Sequence, residues 1–89
     1  MKFEYDGLKS ESNKEKHGID FDEAQEVWEN VVVELPSKYI DEPRRLVIGK
    51  INDKFWTAIV TVRGDLTRII SVRRSREEEK NLYEKITEN

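Results

Sequence analysis

The chain has 89 residues, of which 36% are hydrophobic and 39% charged, with no cysteine and one histidine. This length allows one domain with a modest core and excludes separate cofactor and substrate domains. The composition also excludes a disulfide framework, a cysteine-ligated metal and a multi-histidine metal centre, and no apolar run approaches the about 18 residues of a membrane span. We therefore expect a single domain over residues 1–89. The N-terminus has no apolar stretch of the export-signal type, which fits a cytoplasmic protein.

The net charge of −3 hides a division along the chain. Residues 1–43 carry 5 basic and 12 acidic side chains, residues 44–76 carry 9 basic and 2 acidic, and residues 77–89 carry 2 basic and 5 acidic. A basic block within an acidic protein can form an anion-binding face. The alternative is that these charges only solvate exposed strand faces, and charge alone does not decide between the two.

The chain opens with a short predicted strand and a polar helix. Residues 3–5 alternate apolar and acidic side chains, and residues 7–17 are permissive for a helix. Leu8 is the main apolar side chain of this helix, so we expect it to be the anchor. Gly18 fits the helix end because glycine tolerates the left-handed conformation.

A second helix is predicted directly afterwards. Asp20 fits its N-cap, and Glu23, three residues on, fits the reaching carboxylate of a capping box. Apolar side chains then recur at helical spacing, which indicates a core stripe rather than a binding surface. These side chains are Phe21, Ala24, Val27 and Trp28.

From Val31 onward the pattern predicts strands, which tight turns join as antiparallel neighbours. The strands are expected at 31–35, 44–51, 55–62 and 66–73, with a loop at 41–43. Residues 52–54 form one predicted turn, and Gly64-Asp65 forms another of the two-residue type II′ kind. The last element is a charged helix over 75–86, capped by Ser75 with Glu78.

The register of the last two strands has two possibilities. In a two-residue turn Arg63 pairs with Leu66, and Arg73 then shares a face with Trp56. In a three-residue loop Arg68 takes that face instead. A slip of one residue exchanges every side chain between the two faces of a sheet, so we assign no single arginine to a face.

The chain lacks the common catalytic motifs, since it has no glycine-rich phosphate loop, no metal-ligand spacing and no cysteine nucleophile. What is left is a set of arginines on predicted strands, one histidine and a few tyrosines. This set suits RNA cleavage without a metal, because the ribose 2′-hydroxyl is an internal nucleophile that needs only alignment, proton removal and charge stabilisation. Arginine suits phosphate because its forked N–H groups donate two parallel hydrogen bonds.

Three segments, in order over roughly residues 3–84, resemble the BrnT toxins. They are Phe3-x-Tyr5-Asp6 with Lys9, Asn13 and Lys16-His17-Gly18-Ile19-x-Phe21-x-x-Ala24; Arg44 with Ile48-Gly49; and Arg68-Ile69-Ile70-Ser71-Val72-Arg73-Arg74 with Glu79 and Tyr83. Val72 and Ser75 depart from the pattern, which has alanine at both places. Both changes in volume are small.

This resemblance implies a RelE-like α+β fold, with two N-terminal helices packed on a mainly antiparallel sheet, a C-terminal helix, and helices covering one face. It implies a ribonuclease toxin of a type II toxin–antitoxin system that inhibits translation. From the residues themselves we expect this activity to need no metal or cofactor, and we expect the protein to act in the cytoplasm. The resemblance also implies that a BrnA-like DNA-binding antitoxin neutralises the chain in a hetero-oligomer. Within that hetero-oligomer only the antitoxin would contact operator DNA.

The candidate residues come from this set. The candidate catalytic residues are His17, Arg68, Arg73 and Arg74, and the candidate RNA-binding residues are Lys16, Arg44, Arg63 and Tyr83. Histidine is the usual group for proton transfer near neutral pH, and the motif with three arginines is the most specific of the segments.

Each candidate has a structural alternative. His17 can instead interact with the last carbonyls of the helix that Gly18 ends, and the arginines of the closing motif can pair with Glu79 or Glu23. Arg44 can pair with Asp41 or Glu42, Lys16 can be a solvated side chain, and Tyr83 can be part of the core.

Two other functions stay open. A non-catalytic binding module would dock nucleic acid or an acidic partner on its basic sheet, with affinity that falls with salt but no turnover. A toxin relative that has lost activity would act as a corepressor.

Overall fold

The computed structural model describes residues 1–37 and 43–88, and within them the chain forms an α+β fold. Five strands build one sheet: β1 (Lys2–Glu4), β2 (Val33–Pro36), β3 (Arg45–Ile51), β4 (Lys54–Arg63) and β5 (Leu66–Arg74). The helical segments are α1 (Gly7–His17), a 3₁₀ helix (Glu23–Glu29) and α2 (Glu77–Thr87). The second predicted helix is thus a 3₁₀ helix. Of the predicted loop at 41–43, residues 41 and 42 lie outside the described residues.

The strand order is β1-β5-β4-β3-β2, and every neighbouring pair is antiparallel except β1 and β5. The β4–β5 turn has two residues, because Arg63 pairs with Leu66, and the positive φ of 61° at Gly64 suits the predicted type II′ turn. The β3–β4 turn is shorter than predicted. Lys54 already pairs with Ile51, and the two turn residues between them both have positive φ, as a type I′ turn requires.

A β-bulge changes the register halfway along the β4–β5 pair. Val60 pairs with Ile69, but the preceding Ile59 pairs with Ser71, so one extra residue enters β5. Beyond the bulge Arg73 lies opposite Thr57, on the face away from Val60. Each of the two registers that the sequence allowed therefore holds for one half of the strand.

Helical segments lie on both faces of the sheet, which corrects the expectation of a single covered face. On one face the 3₁₀ helix and the segment before it bury Phe21, Ala24 and Val27 against a core that includes Val47 and Val60. On the other face α2 packs Tyr83 against Ile48, with Val33, Leu35 and Phe55 around them. The two faces alternate along each strand, as side chains in a sheet do.

The 3₁₀ helix approaches the sheet closely at Gly49. A Cβ atom at this position would lie 2.8 Å from Val27 Cγ1, so glycine permits the contact. Asp20 and Glu23 exchange the predicted reciprocal bonds, in which each backbone N–H donates to the other's carboxylate, at 3.0 and 2.8 Å. The two bonds fix the start of the turn that carries the buried apolar stripe. The N-cap of the 3₁₀ helix is Asp22 rather than the predicted Asp20, and the Asp22 side chain makes no capping bond.

Polar contacts, rather than Leu8, hold α1 in place. Leu8 is 76% exposed, which contradicts its expected role as the anchor. The buried side chains of α1 are Ser10 and Asn13. The Asn13 amide donates to Val72 O and accepts from Val72 N, at 2.9 and 3.2 Å, and it also donates to Ile19 O at 2.8 Å. It therefore completes the β5 edge where β1 has ended.

The cap of α2 also differs from the prediction by one residue. Glu79, not Glu78, accepts from the backbone N–H of Arg76 at 2.8 Å. Ser75 is buried and bonds to Thr57 at 2.8 Å, so it belongs to the sheet contact rather than to the cap.

Candidate active site

A groove of about 340 Å³ runs between α1 and the β5 edge, and we call it the α1–β5 groove. Asn13 holds the two elements together at its base, and the bulge turns β5 at this point. Its walls are formed by Lys9, Ser12, Lys16 and His17 of α1 and by Ile70 and Ser71 of β5. The groove thus brings two ammonium groups, one imidazole and two hydroxyls to the same depression.

His17 is the last residue of α1, and the helix end fixes its position. Gly18 adopts the left-handed conformation (φ 80°), and its N–H donates to Lys14 O at 2.9 Å, as predicted for the helix stop. The His17 side chain makes no hydrogen bond or ion pair within residues 1–37 and 43–88. The expected interaction with helix carbonyls is therefore not formed within those residues, and the imidazole is exposed on the groove wall.

The lysines of the groove are equally unengaged. Lys9 and Lys16 are exposed, and neither has an ion-pair partner in the part of the chain that the structure describes. Solvated ammonium groups of this kind can neutralise phosphate without first breaking an internal pair.

Arg73 lies on β5 two residues beyond Ser71, on the same face, so about 7 Å further along the strand. Its guanidinium binds Glu79 through two bonds, Nη1 to Oε1 at 2.7 Å and Nη2 to Oε2 at 2.9 Å. This is the ion pair that the sequence offered as the alternative to phosphate contact, and phosphate contact by Arg73 stays a prediction.

Glu79 is held by several groups besides Arg73, and we call this set the Arg73–Glu79 network. Thr57 Oγ1 donates to Glu79 Oε1 at 3.0 Å, which leaves Ser75 as the donor of the 2.8 Å bond to Thr57. The Arg76 N–H donates to the same carboxylate. The network thus joins β4, β5 and the start of α2.

The electrostatics of the network keep Glu79 ionised. Burial raises the pKa of its carboxyl, but the hydrogen bonds from Arg73, Arg76 N–H and Thr57, together with the Arg73 charge, outweigh burial and lower that pKa from 4.5 to about 2. The pair therefore stays charged at all pH values well above about 2.

The other predicted arginines do not gather around the groove. Arg68 is half-buried and pairs with Glu4 across β1 and β5 at 3.4 Å. Arg74 lies on the opposite face, where its Nε donates to Phe55 O at 3.3 Å and its guanidinium stacks 5.4 Å from the Trp56 ring centre.

The remaining predicted RNA-binding residues also lie away from the groove. Arg63 is exposed at the β4–β5 turn. Arg44 lines another depression, of about 390 Å³, with Leu35 and Pro43; its two proposed partners, residues 41 and 42, lie outside the described residues. Tyr83 is buried and its hydroxyl donates to Val31 O at 2.9 Å, which agrees with the core alternative.

Five groove residues were missing from the sequence-based candidates: Lys9, Ser12, Asn13, Ile70 and Ser71. Lys9, Ser12 and Lys16 stand at i, i+3 and i+7, the spacing of one helix face, so the sequence held a signal for the α1 wall. For Ser71 there was no such signal, because the bulge decides its direction.

Comparisons with known proteins agree with the sequence resemblance. A family model described as a ribonuclease toxin, BrnT, of a type II toxin–antitoxin system matches residues 5–79 of the 89. No curated protein matches the chain significantly. Among the described residues, no helix is both long and apolar enough to cross a membrane.

Proposed function

The chain belongs to the BrnT family of ribonuclease toxins of type II toxin–antitoxin systems, and we propose that it cleaves RNA in the α1–β5 groove without a metal ion. The observation that carries this proposal is the set of unengaged side chains in one depression. Lys9, Lys16 and His17 line the groove, and none of them has a partner within the described residues. Arg73 lies two residues from the groove on the same face.

The chemistry uses the substrate's own nucleophile. His17 accepts the proton of the ribose 2′-hydroxyl, the 2′-oxygen forms a bond to the adjacent phosphorus, and the bond from phosphorus to the 5′-oxygen breaks. Water returns a proton to the leaving 5′-oxygen. The products are a 2′,3′-cyclic phosphate and a 5′-hydroxyl, and no oxidant, reductant or metal enters the balance.

The cationic groups stabilise the charge that develops on the phosphate. Lys9 and Lys16 face the groove from α1, while Arg73 supplies a planar guanidinium from β5. Charges fixed before the reaction need no reorganisation as the phosphorane forms. Arg68 and Arg74 are assigned a wider role in substrate binding, and Arg44 and Arg63 are proposed as outer RNA contacts, whereas the buried Tyr83 is assigned to the core.

Membership of this family also suggests the protein's partner and its role in the cell. A type II toxin has a protein antitoxin, and we propose a BrnA-like DNA-binding partner that neutralises this chain in a hetero-oligomer and links it to operator DNA. Inhibition of translation, a cytoplasmic site of action and a RelE-like relationship of the fold belong to the same proposal. The five-stranded, mainly antiparallel sheet with α1 beside it is compatible with such a fold.

Expression of the chain alone in bacteria tests the function. The wild type should arrest growth and cleave RNA, whereas His17→Ala should do neither at equal soluble expression. Lys85→Ala, which removes an exposed lysine from the far end of α2, is the matched control and should behave as the wild type. Normal growth with intact RNA in soluble wild-type cells would instead support a non-catalytic binding module or an inactive corepressor.

A further inference from the structure

We infer that Glu79 is a positioning residue for RNA cleavage, fixing the Arg73 guanidinium beside the α1–β5 groove, with Thr57 and Ser75 fixing Glu79 in turn. The inference rests on the proposed function, because it gives Arg73 a part in the reaction. Glu79 itself would not touch RNA, since its carboxylate is buried between the first turn of α2 and the sheet and its charge would repel phosphate.

The bidentate geometry defines the plane of the guanidinium. Two nitrogens of Arg73 bind the two oxygens of Glu79, at 2.7 and 2.9 Å, so the planar group cannot rotate about its long axis without breaking a bond. The Arg73 side chain is 20% exposed and the Glu79 side chain 8%. The pair therefore has a buried end, which is Glu79, and an end that reaches the surface, which is Arg73.

Glu79 is itself immobilised from two further directions. Thr57 projects from the central strand β4 and donates to Oε1, and the N–H of Arg76 donates to the same oxygen at the start of α2. Ser75 bonds to Thr57 and is also buried. This second layer is what a fixed arginine requires, because a long flexible side chain is positioned only as well as the groups that hold it.

Glu79 binds only some of the N–H donors of the Arg73 guanidinium. A guanidinium has five N–H donors; the Glu79 carboxylate accepts from two nitrogens of Arg73, and Nη1 also donates to Arg74 O at 3.4 Å. The bulge at Ile70 sets Arg73 on the face that Ser71 shares. Glu79 thus determines the orientation of the Arg73 guanidinium near the groove. Displacement of such a group by an ångström can reduce the rate of a catalysed reaction by about 100-fold.

Two other readings predict different behaviour. If Glu79 only anchors α2, its loss lowers stability and leaves turnover of the folded protein unchanged. If Glu79 competes with phosphate for Arg73, its loss strengthens RNA binding. The positioning role predicts a lower kcat with little change in KM, and an effect that exists only when Arg73 is present.

The test is a double-mutant cycle on the purified full chain, with Glu79→Gln, Arg73→Ala and the double variant. A short RNA oligonucleotide serves as substrate, and thermal unfolding confirms that each variant is folded at the assay temperature. We expect Glu79→Gln to lower kcat by about tenfold or more, and to have no further effect in the Arg73→Ala background. Glu79→Asp should recover part of the loss. Thr57→Val, which keeps the shape but removes one bond to Glu79, should lower kcat by a smaller factor and serves if Glu79→Gln fails to fold.

Phe55→Leu is the stability control, because it weakens the packing of α2 through Tyr83 without touching Arg73. It should lower the unfolding temperature and leave kcat unchanged. An active wild type with unchanged or faster cleavage in a folded Glu79→Gln or Thr57→Val variant would overturn the inference alone, as would additive effects in the cycle. A wild type that does not cleave RNA would end the proposed function and the inference with it.

Discussion

The α1–β5 groove and the Arg73–Glu79 network lie side by side on β5, yet their side chains are held in opposite ways. In the groove, Lys9, Lys16 and His17 are exposed and have no partner within the described residues. In the network, Arg73 and Glu79 are mostly buried, and the Glu79 carboxylate accepts from three different residues.

The difference separates groups that are available to a substrate from groups that the fold has already engaged. Exposed charges contribute little to stability, so groove residues can be removed without unfolding the chain. A buried, hydrogen-bonded pair behaves differently, because removing one partner leaves an unpaired charge in the interior. Variants of the exposed groove residues Lys9, Lys16 and His17 should therefore change activity alone, and variants in the network should change both stability and activity.

The largest expected effect comes from His17→Ala. Loss of the proton-transfer group should reduce the rate of RNA cleavage by about 10²- to 10⁴-fold, with no measurable change in unfolding temperature. Single-turnover kinetics and thermal unfolding measure the two quantities. A variant that loses stability together with activity would break the comparison, since it would make His17 part of the fold.

Acid should weaken the network. Because the pKa of Glu79 in the folded chain is about 2, below its usual 4.5, its charge stabilises the fold above pH 4.5, and this stabilisation is lost as the pH falls toward 2. The contribution at stake is about 3 kcal/mol. Urea unfolding between pH 7 and pH 2.5 should show this loss in the wild type. A folded Glu79→Gln variant should lack that part of the pH dependence. If the free energy of unfolding fell equally with pH in the two proteins, the lowered pKa of Glu79 would be contradicted.

Asn13→Ala tests whether Asn13 attaches α1 to β5 at the base of the groove. The substitution leaves the N–H and carbonyl of Val72 without their α1 partner, and it should lower the free energy of unfolding by about 2 kcal/mol. Ser12→Ala, at the preceding position of the same helix, is the control and should change the free energy of unfolding by less than about 0.5 kcal/mol. Equal effects of the two variants would show that α1 is held by something other than Asn13.

The smallest effects are expected from the groove lysines. Lys9→Ala and Lys16→Ala should each weaken RNA binding a few-fold, and each should reduce the slope of log affinity against log salt by about 0.7. Lys85→Ala on α2 should change neither quantity. Titration of a fluorescent single-stranded RNA at several salt concentrations measures both, and an unchanged slope in the two groove variants would place RNA elsewhere.

Much of the fold could be predicted from local patterns. The Gly18 helix end, the reciprocal Asp20–Glu23 bonds and the Gly64-Asp65 turn were predicted correctly, because each depends on a few neighbouring residues. The N-cap of the 3₁₀ helix lies at Asp22 instead of Asp20. The apolar stripe from Phe21 onward also lies in the core, although the backbone there forms a 3₁₀ helix.

What failed to follow from the sequence depends on long-range contacts. The bulge at Ile70 carries no local signal, yet it determines which face Arg73 occupies. Leu8 was expected to anchor α1, but Asn13 does so through Val72, 59 positions away. The cap of α2 moved from Glu78 to Glu79 because the sheet engages Ser75.

Only part of the candidate site could be predicted, because local sequence does not determine how α1 and β5 come together. His17 and Lys16 lie in the groove, and both were candidates from the sequence. Arg68 and Arg74 were grouped with Arg73 by their neighbouring positions, but the pleat puts Arg74 on the opposite face. The bulge leaves Arg68 and Arg73 on one face, five positions apart along β5 and paired with different carboxylates.

The most direct test of the central claim is cleavage of a defined RNA by the purified chain in excess EDTA, with analysis of the product ends. A groove that uses the ribose 2′-hydroxyl and His17 predicts cleavage that persists in the chelator, gives 2′,3′-cyclic phosphate and 5′-hydroxyl ends, and disappears in His17→Ala. Cleavage that stops in EDTA, yields 5′-phosphate ends or continues in His17→Ala would contradict it.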